Sequence, residues 1–181
     1  MACELIEVNS QDNCETSDGG IYETQMVPGE QIEDVTFDVN GNITNFTMLT
    51  EGQWKSYTYD DDDSAFYNQT GNRANKKITY DQQAFLKFAG TTTTKITFAD
   101  SLAQCCNLVC IHRFNSGVAI VQGIDRLAGG GWAFTKQKAK ATPSALSDTG
   151  AGEDRIEITI GSVGRNLSRA TTLSKAAVLA L

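Results

Sequence analysis

The chain carries a single histidine, His112, and two positions before it a cysteine, Cys110. Side chains two apart on an extended strand share a face, so an imidazole here lies beside a thiol, the minimum for a thiolate–imidazole nucleophile. The same positions sit inside an apolar run from Leu108 to Phe114, where two core-packed groups fit equally well. Any Ser-His-Asp or Cys-His unit would have to run through His112. Cys105, Cys106 and Cys110 invite a metal reading, but adjacent cysteines followed by a four-residue step match no standard zinc spacing. A carboxylate pair drawn from Asp148, Glu153 and Asp154 would rest on a loop of Thr149, Gly150, Ala151 and Gly152, which is poor support for placing an acid and a base. Asp60, Asp61, Asp62 and Asp63 repel one another unless water or a cation intervenes, and a calcium loop of the EF-hand kind would need glycine where Ala65 stands. Gly129, Gly130 and Gly131 are followed by no Lys-Ser/Thr pair in P-loop register. The sequence therefore predicts no catalytic residue, no metal and no cofactor.

Composition narrows the class. The 181 residues are 40% hydrophobic and 20% charged with two prolines, which fits a folded domain with a real core and excludes collagen-like or disordered chains. A net charge of −7 argues against a surface that grips nucleic acid phosphates or anionic lipid. That sum hides an asymmetry: residues 1–100 hold six basic against 17 acidic side chains, a net −11, whereas 101–181 hold nine against five, a net +4. Two readings stand: two faces of one solvated surface, or an acidic half that meets the basic half of the next copy. The opening residues show no basic stretch leading into an apolar run, and no apolar run reaches the roughly 18–20 residues that span a bilayer. The expectation is a soluble protein whose five cysteines are reduced thiols.

The elements follow from periodicity. Residues 1–20 are polar, end in Gly19 and Gly20, and read as an N-terminal arm. Period-two alternation predicts strands over 21–27, 32–39 and 43–49, the last two joined by Asn40 and Gly41 as a type I′ turn. Trp54, Tyr57 and Tyr59 suit a half-buried strand that stops at the four aspartates, which form an exposed loop. A strand pair over 65–70 and 77–88 continues the meander. Threonines before Ile96, Phe98, Leu102 and Cys106 predict one amphipathic helix over about 93–106. Leu108 to Phe114 and Val118 to Gly123 flank Asn115, Ser116 and Gly117 as the most buried hairpin. Lys136, Lys138 and Lys140 alternate with Gln137 and Ala139, a pattern that guards an edge strand against aggregation. Arg155 to Ile160 is the last strand, and 161–181 reads as a basic C-terminal arm with Arg165, Arg169 and Lys175 and no acid.

This order resembles bacteriophage virion proteins of the tail-tube type: a β-meander, one helix, a hydrophobic hairpin tipped by Asn115, Ser116 and Gly117, a glycine-rich passage, a loop through Ser147 and Asp148, and a closing strand. The likeness runs chiefly over 94–160, through Phe98 to Ile111, Phe114 to Gly117 and Ile156 to Thr159. It implies a mainly β fold, an antiparallel β-sandwich or half-barrel with one flanking α-helix, occupying 21–160. Subunits of that family close into rings whose sheets complete a β-barrel, and rings stack into a tube that conducts the genome. The implied partners are further copies and other phage tail proteins, with DNA passing unbound. The implied location is the virion, assembled in host cytoplasm. Contact candidates are Asp60, Asp61, Asp62, Asp63, Lys136, Lys138, Lys140, Arg165 and Arg169. The long polar N-terminal arm and the basic tail depart from the family pattern and also suit a neck or capsid-decorating protein. A different class stays open, a monomeric β-sandwich that uses Trp54, Tyr57, Tyr59 or Trp132 as a ligand platform.

Overall fold

The computed structural model describes residues 20–59, 65–74, 77–89, 92–105, 107–135, 137–144 and 155–181. In chain order the strands are β1 (Ile21–Pro28), β2 (Ile32–Phe37), β3 (Ile43–Met48), β4 (Lys55–Thr58), β5 (Ala65–Ala74) and β6 (Lys77–Ala89). Helix α1 (Thr93–Gln104) follows, then β7 (Leu108–Phe114), β8 (Ala119–Gln122), β9 (Ile124–Arg126), β10 (Trp132–Phe134), β11 (Gln137–Ser144), β12 (Arg155–Gly164), β13 (Arg169–Ala170) and α2 (Lys175–Leu179). They form a five-stranded sheet of order β13-β8-β7-β1-β4, a four-stranded sheet of order β11-β12-β6-β5, and the hairpins β2-β3 and β9-β10.

The fold is mainly β, its paired strands antiparallel, with one three-turn helix as expected. It is not a simple meander. β1 pairs with β7 and β4, placing Thr24 opposite both His112 and Tyr57. The reason lies in its side chains: both faces of β1 are buried almost throughout, so it needs a partner on each edge and a layer on each side. Period two tells which residues share a face but not which strand lies alongside.

The five-stranded sheet is consequently the middle layer. On one face Met26, Tyr57 and Cys110 pack against Ala84, Leu86, Ile156, Ile158 and Ile160 of the four-stranded sheet. On the other, Val27, Val109, Ile111 and Val121 meet Ile32, Val35, Ile43 and Phe46 of the β2-β3 hairpin, together with Trp54, Ile124 and Val178. Full burial of each such side chain contributes roughly 1.5–3 kcal/mol. α1 closes one end of the first core with Phe98, Ala99 and Leu102, Phe98 stacking on Tyr57 at 4.8 Å. Its first turn is capped by Thr92, whose hydroxyl accepts from the Lys95 N–H at 3.3 Å.

Both predicted hairpins form, one with a different turn. The Gly41 N–H donates to the Asp38 carbonyl and the Asp38 N–H to the Asn42 carbonyl, so three residues bridge the strands, with Gly41 at φ +86°. That is the bulged three-residue loop, not the two-residue type I′ turn. The Asp38 carboxylate decides between them by accepting from the Asn42 backbone and side-chain N–H groups at 2.8 and 2.9 Å. Gly117, at φ +81°, completes the same kind of loop between β7 and β8.

The residues after Gly161 do not form a separate arm. β12 continues to Gly164, β13 adds to the five-stranded sheet beside β8, and Val178 of α2 is fully buried. The apolar positions of this tail are too few to show a period, yet Leu173 and Val178 meet a surface already built by earlier strands. Cys105 is disulfide-bonded, against the expectation of reduced thiols, while Cys110 is a free thiol. Bridging depends on through-space distance, which spacing along the chain does not give. The expected N-terminal arm falls almost wholly outside the described residues, which begin at Gly20.

Candidate assembly edges and the buried histidine seam

His112 faces the interior between the two main sheets and is fully buried. Its Nδ1 accepts from the Thr24 hydroxyl at 3.0 Å, and its Nε2–H donates to Gln122 Oε1 at 2.9 Å. The Gln122 amide nitrogen then donates to the carbonyls of Gln82 at 3.2 Å and Ile160 at 3.0 Å in the opposing sheet. Because that nitrogen is committed to two carbonyls, the Gln122 oxygen faces the ring and fixes the tautomer with the proton on Nε2. Burial pulls the His112 pKa down to about 4, only partly offset by the Gln122 hydrogen bond. Cys110, two residues away and fully buried, has its thiol pushed well up by the same desolvation. A neutral imidazole with both nitrogens engaged and a protonated thiol form a seam between layers, and this arrangement generates no thiolate.

The aromatic platform is dispersed. Trp54 and Tyr57 are buried in opposite cores, Trp54 edge-on to Phe46 at 5.1 Å and Tyr57 under Phe98. Tyr59 lies against Phe88 at 5.4 Å, and Trp132 donates its indole N–H to Asp34 at 2.8 Å. Alternation marked these rings as half-buried; the second layer on each side of the middle sheet covers those of Trp54 and Tyr57.

Of the contact candidates, Asp60, Asp61, Asp62, Asp63 and Lys136 lie outside the described residues, and of Lys138 only the backbone, within β11, is described. Lys140 is exposed on β11, opposite Thr159 of β12. Arg165 is exposed, its backbone N–H donating to Asp125 at 2.8 Å. Arg169 is half-buried on β13, in the other sheet from the lysines, beside the Gly41 turn, so the two basic groups do not form one patch. One meeting of the acidic and basic halves occurs inside the chain: Lys175 Nζ is 2.6 Å from Glu23 Oε1, which also accepts from the Ser56 hydroxyl. Glu23 is only 1% exposed, so α2 is clipped over a buried carboxylate. Arg113 strengthens the clip by donating to Gln25 Oε1 and to the Leu173 carbonyl, each at 3.0 Å.

The four-stranded sheet ends in two strands that lack a second strand partner, with α1 lying close against β11. Neither β5 nor β11 pairs beyond β6 and β12 respectively among the described residues. They differ in protection: β11 carries Lys138, Lys140 and Pro143, whereas β5 runs ten residues with Arg73 its only charge. No layer of the described residues covers this sheet's outer face, where Phe66, 47% exposed, stacks on Phe85 at 4.4 Å. No sheet among the described residues closes on itself into a barrel. Among the described residues no group of three or more metal-binding side chains gathers, and no helix is long and apolar enough to cross a membrane.

Comparison with known proteins finds no matching family model, curated protein or solved structure.

Proposed function

We propose that this chain is a structural virion protein, a subunit of tail-tube type whose copies join edge to edge into rings that stack into a conduit for DNA. The observation that supports the reading is the asymmetry between the two edges of the four-stranded sheet that lack a strand partner. The run Asp60 to Asp63 immediately precedes β5 in the chain, and Lys138 and Lys140 lie on β11 with Lys136 just before it. Pairing β5 of one copy with β11 of the next satisfies both rows of backbone groups. Such a head-to-tail contact uses two different patches, and so it generates a ring or a helix instead of a closed dimer. The uncovered sheet face then becomes one continuous wall, completing a barrel between subunits. DNA passes this wall without specific contacts, and the other partners are further tail components of the virion.

Sedimentation velocity over a concentration series, with negative-stain microscopy of the same samples, tests this reading. Rings or tubes, or a concentration-dependent rise toward one large species, support it. A single-chain species at every soluble concentration, with no ring in the images, overturns it.

A further inference from the structure

Two guanidinium groups converge on the β2-β3 turn. A Cβ built on Gly41 would lie 2.7 Å from Arg126 Nη1 and 3.4 Å from Arg169 Nη1. The two nitrogens are therefore no farther apart than the sum of those distances, about 6 Å. They arrive from different elements, Arg126 at the end of β9 and Arg169 at the start of β13. Arg126 lies over the Phe37 ring at 5.6 Å, and Arg169 has its Nε buried, so its stem is packed down and the outer nitrogens are the end that meets a ligand. Both side chains are half-exposed. Among the described residues neither arginine forms an ion pair or donates a side-chain hydrogen bond. The carboxylates of the neighbouring turn and strands are engaged elsewhere: Asp38 with the Asn42 N–H groups, Asp125 with the backbone N–H groups of Arg165 and Asn166, and Asp34 with the Trp132 indole. Two like charges held this close repel each other, and an anion between them turns the repulsion into attraction.

We propose that Arg126 and Arg169 form a binding site for a doubly charged tetrahedral oxyanion, inorganic phosphate or a phosphate monoester. One dianion balances both guanidinium charges, whereas chloride or a single carboxylate leaves one of them unmatched. Each guanidinium is a planar fork of N–H donors with no acceptor, which suits phosphate oxygens taken two at a time. A separation of at most about 6 Å lets one anion take charge-assisted bonds of ordinary length, about 2.7–2.9 Å, from both sides. The net charge of −7 sets the long-range field of the molecule and leaves this local one positive. The site needs a single chain only, so it stands apart from the assembly reading.

Titration of the full chain by heteronuclear NMR at constant ionic strength tests the assignment, with inorganic phosphate, methyl phosphate and acetate as separate probes up to about 20 mM, enough to saturate a millimolar site. The expected result is a saturable shift with at least one of the two phosphates, centred on residues 38–42, 126 and 168–170, and the tighter of the two names the source. Arg126→Gln and Arg169→Gln should each weaken phosphate about tenfold. Arg126→Lys keeps the charge and loses the fork, so it should also weaken phosphate, and it serves should the glutamine variants fold poorly. Phosphate should raise the melting temperature of the wild type above that in sodium chloride of equal ionic strength and leave the double glutamine variant unmoved. The proposal is overturned by the absence of a saturable shift with either phosphate, by unchanged affinity in the variants, or by acetate binding as tightly as phosphate.

Discussion

His112 and Gln122 are joined across the β7-β8 hairpin by a 2.9 Å hydrogen bond that sets the tautomer with the proton on Nε2, while burial keeps the imidazole neutral. The glutamine carries the link on to the opposing sheet, so one side chain both sets a tautomer and ties two layers together. The chain's only histidine is thereby committed to the core.

That commitment gives a signed pH dependence. The imidazole pKa falls from 6.5 to about 4 on folding, so between those values the unfolded chain takes up a proton that the folded chain refuses. Stability is complete above pH 6.5, declines as pH falls toward 4, and loses nothing further from this group below that. The shift corresponds to roughly 3 kcal/mol. Urea unfolding at pH 7, 5.5 and 4.5 should show the decline, and the variant His112→Gln should lack this component.

Truncating Gln122 removes its bonds to His112, Gln82, Ile160 and Ser162 at once. Gln122→Ala leaves His112 Nε2 and the carbonyls of Gln82 and Ile160 without these partners inside the sandwich. The expected cost is about 2–4 kcal/mol, read from the denaturant midpoint at unchanged slope.

The clip over Glu23 should behave as a coupled pair. Lys175→Ala strands a carboxylate that is 1% exposed and should cost about 1–2 kcal/mol, discounted because the lysine itself is half-exposed. Adding Glu23→Gln should recover part of that loss. A double-mutant cycle with no coupling energy would show that α2 is held without the ion pair, by Val178, by Arg113 and by the Gln25 amide donating to the Lys175 carbonyl.

Two glycines separate backbone strain from crowding. Gly117, at φ +81°, has open space around its missing side chain, so Gly117→Ala should cost only the conformational penalty, about 1 kcal/mol. Gly123, at φ +105°, would also drive a Cβ into the Leu108 carbonyl and the Gln137 amide, and Gly123→Ala should cost at least about 3 kcal/mol. Melting curves of the two variants give the comparison directly.

Guarding the bare edge should alter association without harming the fold. Asn68 and Thr70 are exposed on β5, and the pair Asn68→Lys, Thr70→Lys places there the charges that β11 already has. The expected outcome is a shift of any large species toward single chains with an unchanged far-ultraviolet spectrum. Raising salt should loosen wild-type assemblies to the extent that acidic and basic segments meet at solvent-exposed contacts.

Much of the local architecture was legible in the chain. Alternation located strands from β1 to β8 and β12, the threonines before Ile96 and Phe98 located α1, and Gly117 placed the tightest loop of the central hairpin. The same alternation put Lys136, Lys138 and Lys140 on one side of an extended segment, and Gln137, the first residue of β11, is buried on the other.

What the sequence by itself determined, then, is which residues turn inward and where the chain reverses, because strand period and turn chemistry act over two to five residues. Only the tertiary structure decided that β1 lies between β7 and β4, that Trp54 and Tyr57 vanish into opposite cores, that the basic tail folds back over Glu23, and that His112 is locked between Thr24 and Gln122. Each of those outcomes depends on burying a second face against residues tens of positions away. Solvent exclusion is set by distance in space, and alternation along the chain does not encode it.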